Sequence, residues 1–344
     1  MINRRQARLL MPGLLAVVAA WALAPAANAT PGNDGHGSPD GVAAAIAHAG
    51  PGNGEPVVHP SGHRDVHGAV TATSASAVVS APATASGSVT VTSLDGTRGL
   101  TLGLPPLSGA TADVASSGTV TYADSSRGLE LGISVFDSGV QIATVIESPN
   151  AGTSFSYPVA LPEGARITSI DGGGLVVLAR DGSLLGGFAA PWAQDASGNP
   201  VGTSYEVRGA TVVQHVETSS STAYPVVADP YLWVSLISSA SWQYNSGYGW
   251  TLRVTPTTWA RANAGSYLVG EYDWSELLSK YQNVGRGIHV NLTGMRDQLI
   301  CHQVVVAVYS PTKATWNIDE WRPSVGYVQT VNAKCNPGGT TIFD

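Results

Sequence analysis

The sequence predicts an α+β protein in which a β-rich, sandwich-like middle domain is followed by a small disulfide-bridged α+β domain. Three observations lead to this fold class. Short β-type runs separated by turn residues fill positions 88–229, helical spacing of apolar residues appears after position 230, and the chain of 344 residues contains only two cysteines. A chain of this length accommodates two modest domains together with non-globular segments.

Residues 1–29 are predicted to be a signal peptide. Three arginines within the first eight residues precede an apolar run from Leu9 to Ala27, and Ala27-Asn28-Ala29 has the small-x-small pattern of a cleavage site. Pro25 and the small residues favour cleavage over retention as a membrane anchor. The mature chain would begin near Thr30, with no later apolar segment long enough to cross a bilayer. We therefore expect an extracellular protein, secreted or associated with the cell wall.

The predicted mature chain carries fourteen basic and 24 acidic residues, a formal charge of −10. A negative field of this kind repels phosphate backbones and anionic membrane surfaces. Nucleic acid is therefore not an expected partner. No motif for a cofactor or a structural metal is present, and neither is expected.

Residues 30–87 are rich in Gly, Ala, Ser, Pro and Thr. Such a composition buries little apolar surface, so a disordered linker is predicted, with at most a short helical turn at 41–49. His59, His63 and His67 recur every four residues, which on a helix would form a metal-facing stripe. A proline and a glycine between them oppose a helix, so a solvated tail is the favoured interpretation and weak metal capture the alternative.

Residues 88–229 show the alternation and spacing of antiparallel strands. From Leu129 to Val135, large apolar residues alternate with polar or small ones, so one face of a strand would lie on a core. The apolar runs at 140–144, 155–159 and 175–179 also have the length of strands. Turn signals such as Asp-Gly and Ser-Gly-Asn-Pro separate these runs. The pattern predicts a β-sandwich or a curled sheet.

This β-rich region resembles a module found in many secreted proteins of high-GC Gram-positive bacteria. The resemblance rests on Ala190-Pro191-Trp192-Ala193, Tyr205-Glu206-Val207 and the closing segment Tyr224–Pro230. It implies a scaffold or an export-associated spacer. Trp192 and His215 are accordingly interpreted as packing or edge residues.

Residues 230–344 hold seven of the nine tryptophans and mix helical with strand patterns, which predicts an α+β domain. Trp250 to Val254 alternates like a strand. One helix is predicted from four residues that share a face, namely Trp274, Leu277, Leu278 and Tyr281. Asp273 would be the N-cap of this helix and Glu276 its third residue.

Cys301 and Cys335 are predicted to form a disulfide, because an exported chain meets an oxidising environment, and a catalytic thiol is the less favoured alternative. Closing a loop of this length would stabilise the domain by about 3 to 4 kcal/mol. The bridge would tie a second helix, at Thr293–His302, to the end of the chain. The β-branched run Val304–Val308 that follows is predicted to be a buried strand.

Three segments of this domain resemble the bacterial family known as domain of unknown function 2599. They are Asp297–His302, Trp316–Pro323 and Cys335-Asn336-Pro337, and the resemblance extends from about Trp242 to Pro337. It implies the limits of a domain but no established activity.

Four residues are the candidate catalytic groups of this domain: His302, Asn317, Glu320 and Arg322. In a hydrolase, His302 would act as general base, Glu320 or Asp319 would orient it, and Arg322 would hold an anionic group. In the structural alternative His302 bonds within the core and Arg322 pairs with a neighbouring carboxylate. No nucleophile motif such as GxSxG, SxxK or HExxH is present, which favours the structural alternative.

The carboxylates Glu271, Asp273 and Glu276 could in principle flank a glycosidic bond, with tryptophans as sugar platforms. Tryptophans in a small domain are more often core residues, which weighs against this hypothesis. Exposed tryptophans in a shallow acidic groove would instead favour binding of carbohydrate or peptidoglycan without catalysis.

Two functions follow as hypotheses. The favoured one is an interaction protein whose C-terminal domain binds a cell-wall polymer or another extracellular protein. It predicts several exposed tryptophans on one patch and a buried, hydrogen-bonded His302. The alternative is a secreted hydrolase or toxin-like effector, with its activity in the same domain. It predicts His302, a carboxylate and Arg322 around one solvent-connected cleft.

Overall fold

The computed structural model of the chain describes residues 37–50, 57–62, 64–124 and 126–339. The predicted signal peptide, the first part of the predicted linker and His63 lie outside the described residues. The described residues all belong to one compact unit, Gly35–Asp344.

Within the described ranges, twenty strands, numbered in chain order, form four sheets in which every pairing is antiparallel. The first sheet has the order β1-β2-β3-β4, with β1 (Val70–Thr73), β2 (Ala77–Ala81), β3 (Ser88–Ser93) and β4 (Gly99–Gly103). A separate three-stranded sheet has the order β14-β15-β9, with β9 (Ser154–Pro158), β14 (Gly202–Arg208) and β15 (Thr211–Glu217).

The largest sheet contains ten strands: β5 (Asp113–Val114), β6 (Val120–Asp124), β7 (Leu129–Val135), β8 (Val140–Ile146), β10 (Arg166–Ser169), β11 (Leu175–Leu178), β12 (Leu184–Phe188), β13 (Ala193–Gln194), β16 (Val226–Ala228) and β17 (Tyr231–Trp233). Eight of them follow the order β10-β11-β12-β17-β8-β7-β6-β5, while β16 pairs with β8 and β13. The β-rich character expected of this region is confirmed, and the sandwich arrangement stays a prediction.

The fourth sheet, with the order β18-β19-β20, carries the C-terminal helices. Its strands are β18 (Ile237–Asn245), β19 (Gly249–Pro256) and β20 (Trp316–Asp319). The six α-helices of the described residues are α1 (Pro39–Ala49), α2 (Thr258–Ala262), α3 (Tyr267–Tyr281), α4 (Leu292–Cys301), α5 (Ala307–Tyr309) and α6 (Tyr327–Asn332).

The prediction of a disordered linker is wrong for two stretches of residues 30–87. Pro39–Ala49 forms helix α1, which begins after Ser38, whose side chain accepts a hydrogen bond from the backbone N–H of Gly41 at 3.1 Å. Val42 and Ile46 bury one side of this helix against the large sheet. Residues 70–81 form β1 and β2, with small residues at the buried positions. Tertiary packing of a few apolar residues therefore outweighs a linker-like composition.

Strand β7 also departs from the expectation of one buried face. All seven residues of Leu129–Val135 are buried, and so are all seven of β8. Helix α1 is the reason, because Val42 and Ile46 pack against Ala143, Val145 and the neighbouring β16. Both faces of the central strands are thus removed from water.

The C-terminal elements agree with the sequence in part. Strand β19 and helix α4 form where alternation and helical spacing predicted them. Helix α3 begins earlier than predicted, since Ser266 is its N-cap and Asp273 lies buried in its middle. The predicted strand Val304–Val308 is wrong, because residues 302–306 continue α4 as a π-helical stretch that leads into α5.

The predicted boundary at residue 229/230 falls within the ten-stranded sheet. Strand β17, Tyr231–Trp233, pairs with β8 and β12 of that sheet. One hydrophobic cluster contains Trp233 and Leu184 from the large sheet together with Leu277 from α3. The β-rich and C-terminal regions therefore share a core. Among the described residues there is no helix long and apolar enough to cross a membrane.

Candidate functional site

Cys301 and Cys335 form the predicted disulfide, with their Cα atoms 5.5 Å apart. Cys301 is the last residue of α4, and Cys335 follows α6. Both are fully buried. The bridge fastens the end of the described chain to α4 and closes a loop that contains β20.

His302 lies directly after this bridge and is only 4% exposed. Its Nδ1 lies 2.8 Å from the backbone carbonyl oxygen of Gln298. A carbonyl only accepts hydrogen bonds, so Nδ1 carries the proton and donates it. Burial lowers the pKa of His302 to about 4, which keeps the imidazole neutral. His302 is thus a buried and bonded core residue.

Arg322 is also buried, and its guanidinium is held by structural partners. Nε lies 2.5 Å from the Asp319 carboxylate, and Nη1 donates to the backbone oxygen of Pro337 at 3.1 Å. The hydroxyl of Thr251, on β19, donates to the other oxygen of Asp319. This ion pair connects the fourth sheet to the segment after α6.

Glu320 and Asn317 have separate partners. Glu320 pairs with Arg286 at 2.5 Å, and Asn317 lies on β20, where it accepts a hydrogen bond from Thr315 at 3.0 Å. Of the four candidate catalytic residues, two are thus buried in the core, one is in an ion pair near the surface and one lies in a strand. The structure does not assemble them around an open cleft.

The three carboxylates considered for glycoside hydrolysis also lie in different environments. Glu271 forms a surface ion pair with Arg296. Asp273 is fully buried, and no residue within the described ranges donates a hydrogen bond to it. Burial, with a smaller effect from Glu276, raises the pKa of Asp273 well above its usual value. Asp273 therefore favours its protonated form, deep in the domain and remote from solvent.

Glu276 is a buried carboxylate with a full set of partners. It forms ion pairs with Lys280 at 2.7 Å and with Arg98 at 2.6 Å. The Ser235 hydroxyl and the backbone N–H groups of the next two residues also donate to it, at 2.8 to 3.1 Å. Burial would raise the pKa of Glu276, but these cations and donors lower it below the usual value. Since Arg98 lies between β3 and β4, this cluster fastens the first sheet to α3.

One hydrogen-bonded array was not found by sequence reasoning. The hydroxyl of Ser154 lies 2.9 Å from Nδ1 of His215, and Nε2 of His215 lies 2.9 Å from the carboxylate of Glu206. Both oxygens of Glu206 also accept from Arg208 at 2.7 Å, which is the main reason that the pKa of Glu206 falls to about 2. The alternation of residues along each strand predicts which side of the sheet a side chain lies on. It does not predict the register between strands, which brings these three residues together.

This array is chemically a surface network. Water reaches all three side chains, since the His215 side chain is 33% exposed and that of Glu206 is 46% exposed. The charge of Glu206 is shared with Arg208, which weakens its ability to stabilise an imidazolium ion. A serine activated for attack needs a drier and more preorganised setting.

The most distinctive surface lies at the end of the β18–β19 hairpin. Five aromatic side chains surround it, and we call them the aromatic tip: Trp242, Tyr244, Tyr248, Trp250 and Trp321. The two tyrosines are 58% and 47% exposed, and the three tryptophans are half-buried. The rings form two pairs, with centroids 5.1 Å apart for Tyr244 and Trp250 and 5.2 Å apart for Tyr248 and Trp321.

The register of the hairpin explains how the tip is built. Tyr244 lies opposite Trp250, and Trp242 lies opposite Leu252. Residues directly opposite on antiparallel strands share a face. Leu252 is buried in the core. The same face of the hairpin carries Trp242, Trp250 and Tyr244, which extend from the core toward the end of the hairpin. Trp321 lies on the other side, where a Cβ on Gly249 would come within 3.3 Å of it.

One ion pair lies beside two tryptophans of the aromatic tip. The Arg286 guanidinium carbon is 4.9 Å from the ring centroid of Trp250 and 5.7 Å from that of Trp242. Glu320 binds the same guanidinium, and its backbone N–H donates to the carbonyl of Trp250 at 3.2 Å. The positive charge over the rings is therefore balanced by a neighbouring carboxylate.

Asn291 holds the loops on which these residues lie. Its side-chain amide donates to the backbone oxygens of Glu320 at 3.1 Å and Arg322 at 2.7 Å. Asn291 has a φ of 52°, in the left-handed region that asparagine tolerates better than most residues. The loop after α3 and the segment after β20 are thus joined beneath the tip.

The aromatic tip lies within a part of the chain that matches a known protein family. Residues 237–338 match the family described as "Protein of unknown function (DUF2599)". All five tip residues and the disulfide lie within this DUF2599 region, which agrees with the resemblance seen in the sequence.

Two similar proteins are the uncharacterized protein Mb0487 of Mycobacterium bovis and the uncharacterized protein Rv0477 of Mycobacterium tuberculosis. Each is 31% identical over 90 residues, which cover 26% of this chain and 57% of the relative. The chain thus spans a little over half of the length of these relatives. No solved structure matches the chain.

No group of three or more His, Cys, Asp or Glu side chains suited to hold a metal ion occurs in the described ranges. Of the three linker histidines, His59 and His67 are exposed outside any helix, and His63 is not among the described residues.

Proposed function

We propose that this chain is a secreted or cell-surface-associated binding protein whose DUF2599 region engages an extracellular partner through the aromatic tip. The single observation that carries the proposal is the cluster of five aromatic side chains at one hairpin end, of which Tyr244 and Tyr248 are exposed and the three tryptophans are half-buried. Exposed contiguous apolar surface on a soluble protein marks an interaction site more often than chance would place it there. Tryptophan, tyrosine and arginine are also the residues that contribute most to binding at interfaces.

Binding is favoured over catalysis by the placement of the candidate catalytic residues. His302 and Arg322 are engaged within the core, and Glu320 balances Arg286. The buried, bonded His302 is the placement expected of a binding module, whereas the tip tryptophans are half-buried and the exposed rings beside them are tyrosines. An extracellular location is supported by the disulfide and by the leader-like N-terminal sequence. The partner we propose is a cell-wall polymer, with another extracellular protein as the other outcome of the test.

The proposal is tested by co-sedimentation of the mature chain with purified cell wall, together with a pull-down from culture supernatant. The variant that removes the exposed rings is Tyr244→Ala/Tyr248→Ala, and the matched control is Tyr309→Ala, which changes an 83% exposed tyrosine at the end of α5. Loss of two contact rings should weaken binding about tenfold or more, while the control should bind like the wild type.

Retention by wall, reduced in the tip variant only, is the expected result. Retention of supernatant protein with the same dependence on the tip would keep the binding function and change the partner. Equal retention of all three chains, or of none of them, would contradict the proposal.

A further inference from the structure

Resting on the binding function proposed above, we infer that the aromatic tip recognises a neutral polysaccharide, a polymer of uncharged sugar rings, and not an anionic polymer. Three properties of the site support this choice of ligand: its charge, its polarity and its shape.

The charges at the tip cancel. Arg286 is the cation that lies over Trp242 and Trp250, and Glu320 binds its guanidinium with both carboxylate oxygens, at 3.2 and 2.5 Å. Arg322, next to Trp321, is paired with Asp319. The chain as a whole is acidic, with a formal charge of −7. A polymer of phosphates or uronic acids would meet only paired cations over these rings and would be repelled at longer range by the acidic chain.

The polarity of the tip matches a ligand that is apolar on one side and polar at its edges. Tyrosine and tryptophan rings offer an apolar face with a polar group at the rim. The Arg286 guanidinium lies over Trp242 and Trp250 and is paired with the Glu320 carboxylate, so polar groups border these rings. A sugar ring has a face of C–H groups and an edge of hydroxyls, so it can use both kinds of contact.

The shape of the tip fits a polymer better than a small enclosed ligand. Tyr244 and Tyr248 project from the hairpin end and are about half exposed. Small ligands are held in concave pockets that bury most of their surface. Exposed rings at a hairpin end instead gain affinity by contacting several units of a chain, each of them weakly.

The inference is tested by affinity electrophoresis of the mature chain in native gels. One set of gels contains dextran, mannan, arabinogalactan or glycol chitin, and another contains hyaluronate or polygalacturonate. The same neutral polymers are then used as competitors for wall binding. Tyr244→Ala/Tyr248→Ala and the control Tyr309→Ala are run beside the wild type.

We expect at least one neutral polymer to retard the wild type and the control, and to bind the tip variant at least about tenfold more weakly. Because the contacts are uncharged, raising the salt from about 50 to about 500 mM should change the affinity by less than about twofold. Retardation by the anionic polymers alone, or by no polymer, would overturn the inference.

The two proposals can fail separately. If the tip variant loses wall binding while no neutral polymer retards the protein or competes, the binding function stands and the neutral-sugar inference is wrong. If the tip variant binds wall as well as the wild type does, the binding function itself is wrong, whatever the polymers do.

Discussion

At the scale of single residues, His302 shows how burial decides between a catalytic and a structural role. The ring is enclosed beside the disulfide, its Nδ1–H is committed to the carbonyl of Gln298, and its pKa is about 4. A general base for neutral pH needs a pKa near the working pH and access to substrate. His302 has neither property.

The depressed pKa of His302 makes stability depend on pH. The imidazole gains a proton near pH 6.5 in the unfolded chain but only near pH 4 in the folded one, so stability falls as the pH drops through this window. The loss amounts to roughly 3 kcal/mol. His302→Gln should lack this part of the pH dependence in denaturant unfolding between pH 4 and 7. The exposed control His289→Gln should keep it, and a His302→Gln curve parallel to the wild type would refute the assignment.

Asp273 makes stability depend on pH in the direction opposite to His302. Its pKa is raised by burial, so the folded chain keeps the acid protonated while the unfolded chain ionises it above about pH 4. Stability is therefore lost as the pH rises. Asp273→Asn removes the ionisation and should raise the melting temperature at pH 7, with a gain that disappears toward pH 4. The exposed turn residue Asp171, changed to Asn, serves as the control. A destabilised Asp273→Asn protein at pH 7 would show that the carboxylate has a charged role.

At the scale of elements, the Glu276 cluster joins α3 to the turn between β3 and β4. A carboxylate with no exposure is compensated by Arg98, Lys280 and three further donors. Burying the ions carries a desolvation cost, so such a pair is weak support for net stability. Removing one partner is nevertheless costly, because it leaves buried charges without compensation.

Glu276→Gln should therefore destabilise the protein by about 3 to 5 kcal/mol in guanidinium unfolding at pH 7. The exposed substitution Glu163→Gln should change stability little. A double-mutant cycle with Arg98→Met measures the coupling directly, because the second substitution should cost much less once the first has been made. Additive costs would mean that Arg98 and Glu276 do not stabilise each other in solution.

The pKa of Glu276 is lowered in the folded chain, so the contribution of Glu276 to stability should fade as the pH falls through this lowered pKa.

Elements also show where sequence patterns are sufficient and where they are not. The strand at Trp250–Val254 and helix α4 follow from alternation and helical spacing, which are local signals. The stretch 304–308 is rich in β-branched residues and yet helical, because Gln303 is buried and donates to the carbonyls of Ala260 and Asn263. Helix α1 forms in a linker-like composition because the large sheet offers it an apolar face. Both exceptions depend on contacts between distant segments, which a local pattern does not contain.

At the scale of the whole molecule, the candidate site was visible in the sequence only as a concentration of tryptophans after residue 230. The structure divides them by environment. Trp233 and Trp316 are fully buried, while Trp242, Trp250 and Trp321 are half-buried at the hairpin end. The division depends on the pairing of β18 with β19 and on the fold of the segment after β20. Neither can be inferred from spacing alone.

The disulfide is the long-range constraint on this domain. The two cysteines are 34 positions apart in the sequence, and the loop that they close includes β20 and Trp321. Cys301→Ser/Cys335→Ser should lower the free energy of unfolding by about 3 to 4 kcal/mol, mainly through a less restricted unfolded chain. Comparison with the reduced wild type controls for the serine substitutions. An unchanged midpoint in denaturant would contradict a structural role for the bridge.

The most direct measurement of the central claim is hydrogen–deuterium exchange of residues 30–344 with and without solubilised cell-wall fragments. We predict slower exchange in the segments that form the aromatic tip and its support, residues 242–250, 286–291 and 320–322. The tip variant should show no such change. Protection confined to segments around His302 or to other sheets, or equal protection in the tip variant, would contradict the claim that this hairpin end is the binding surface.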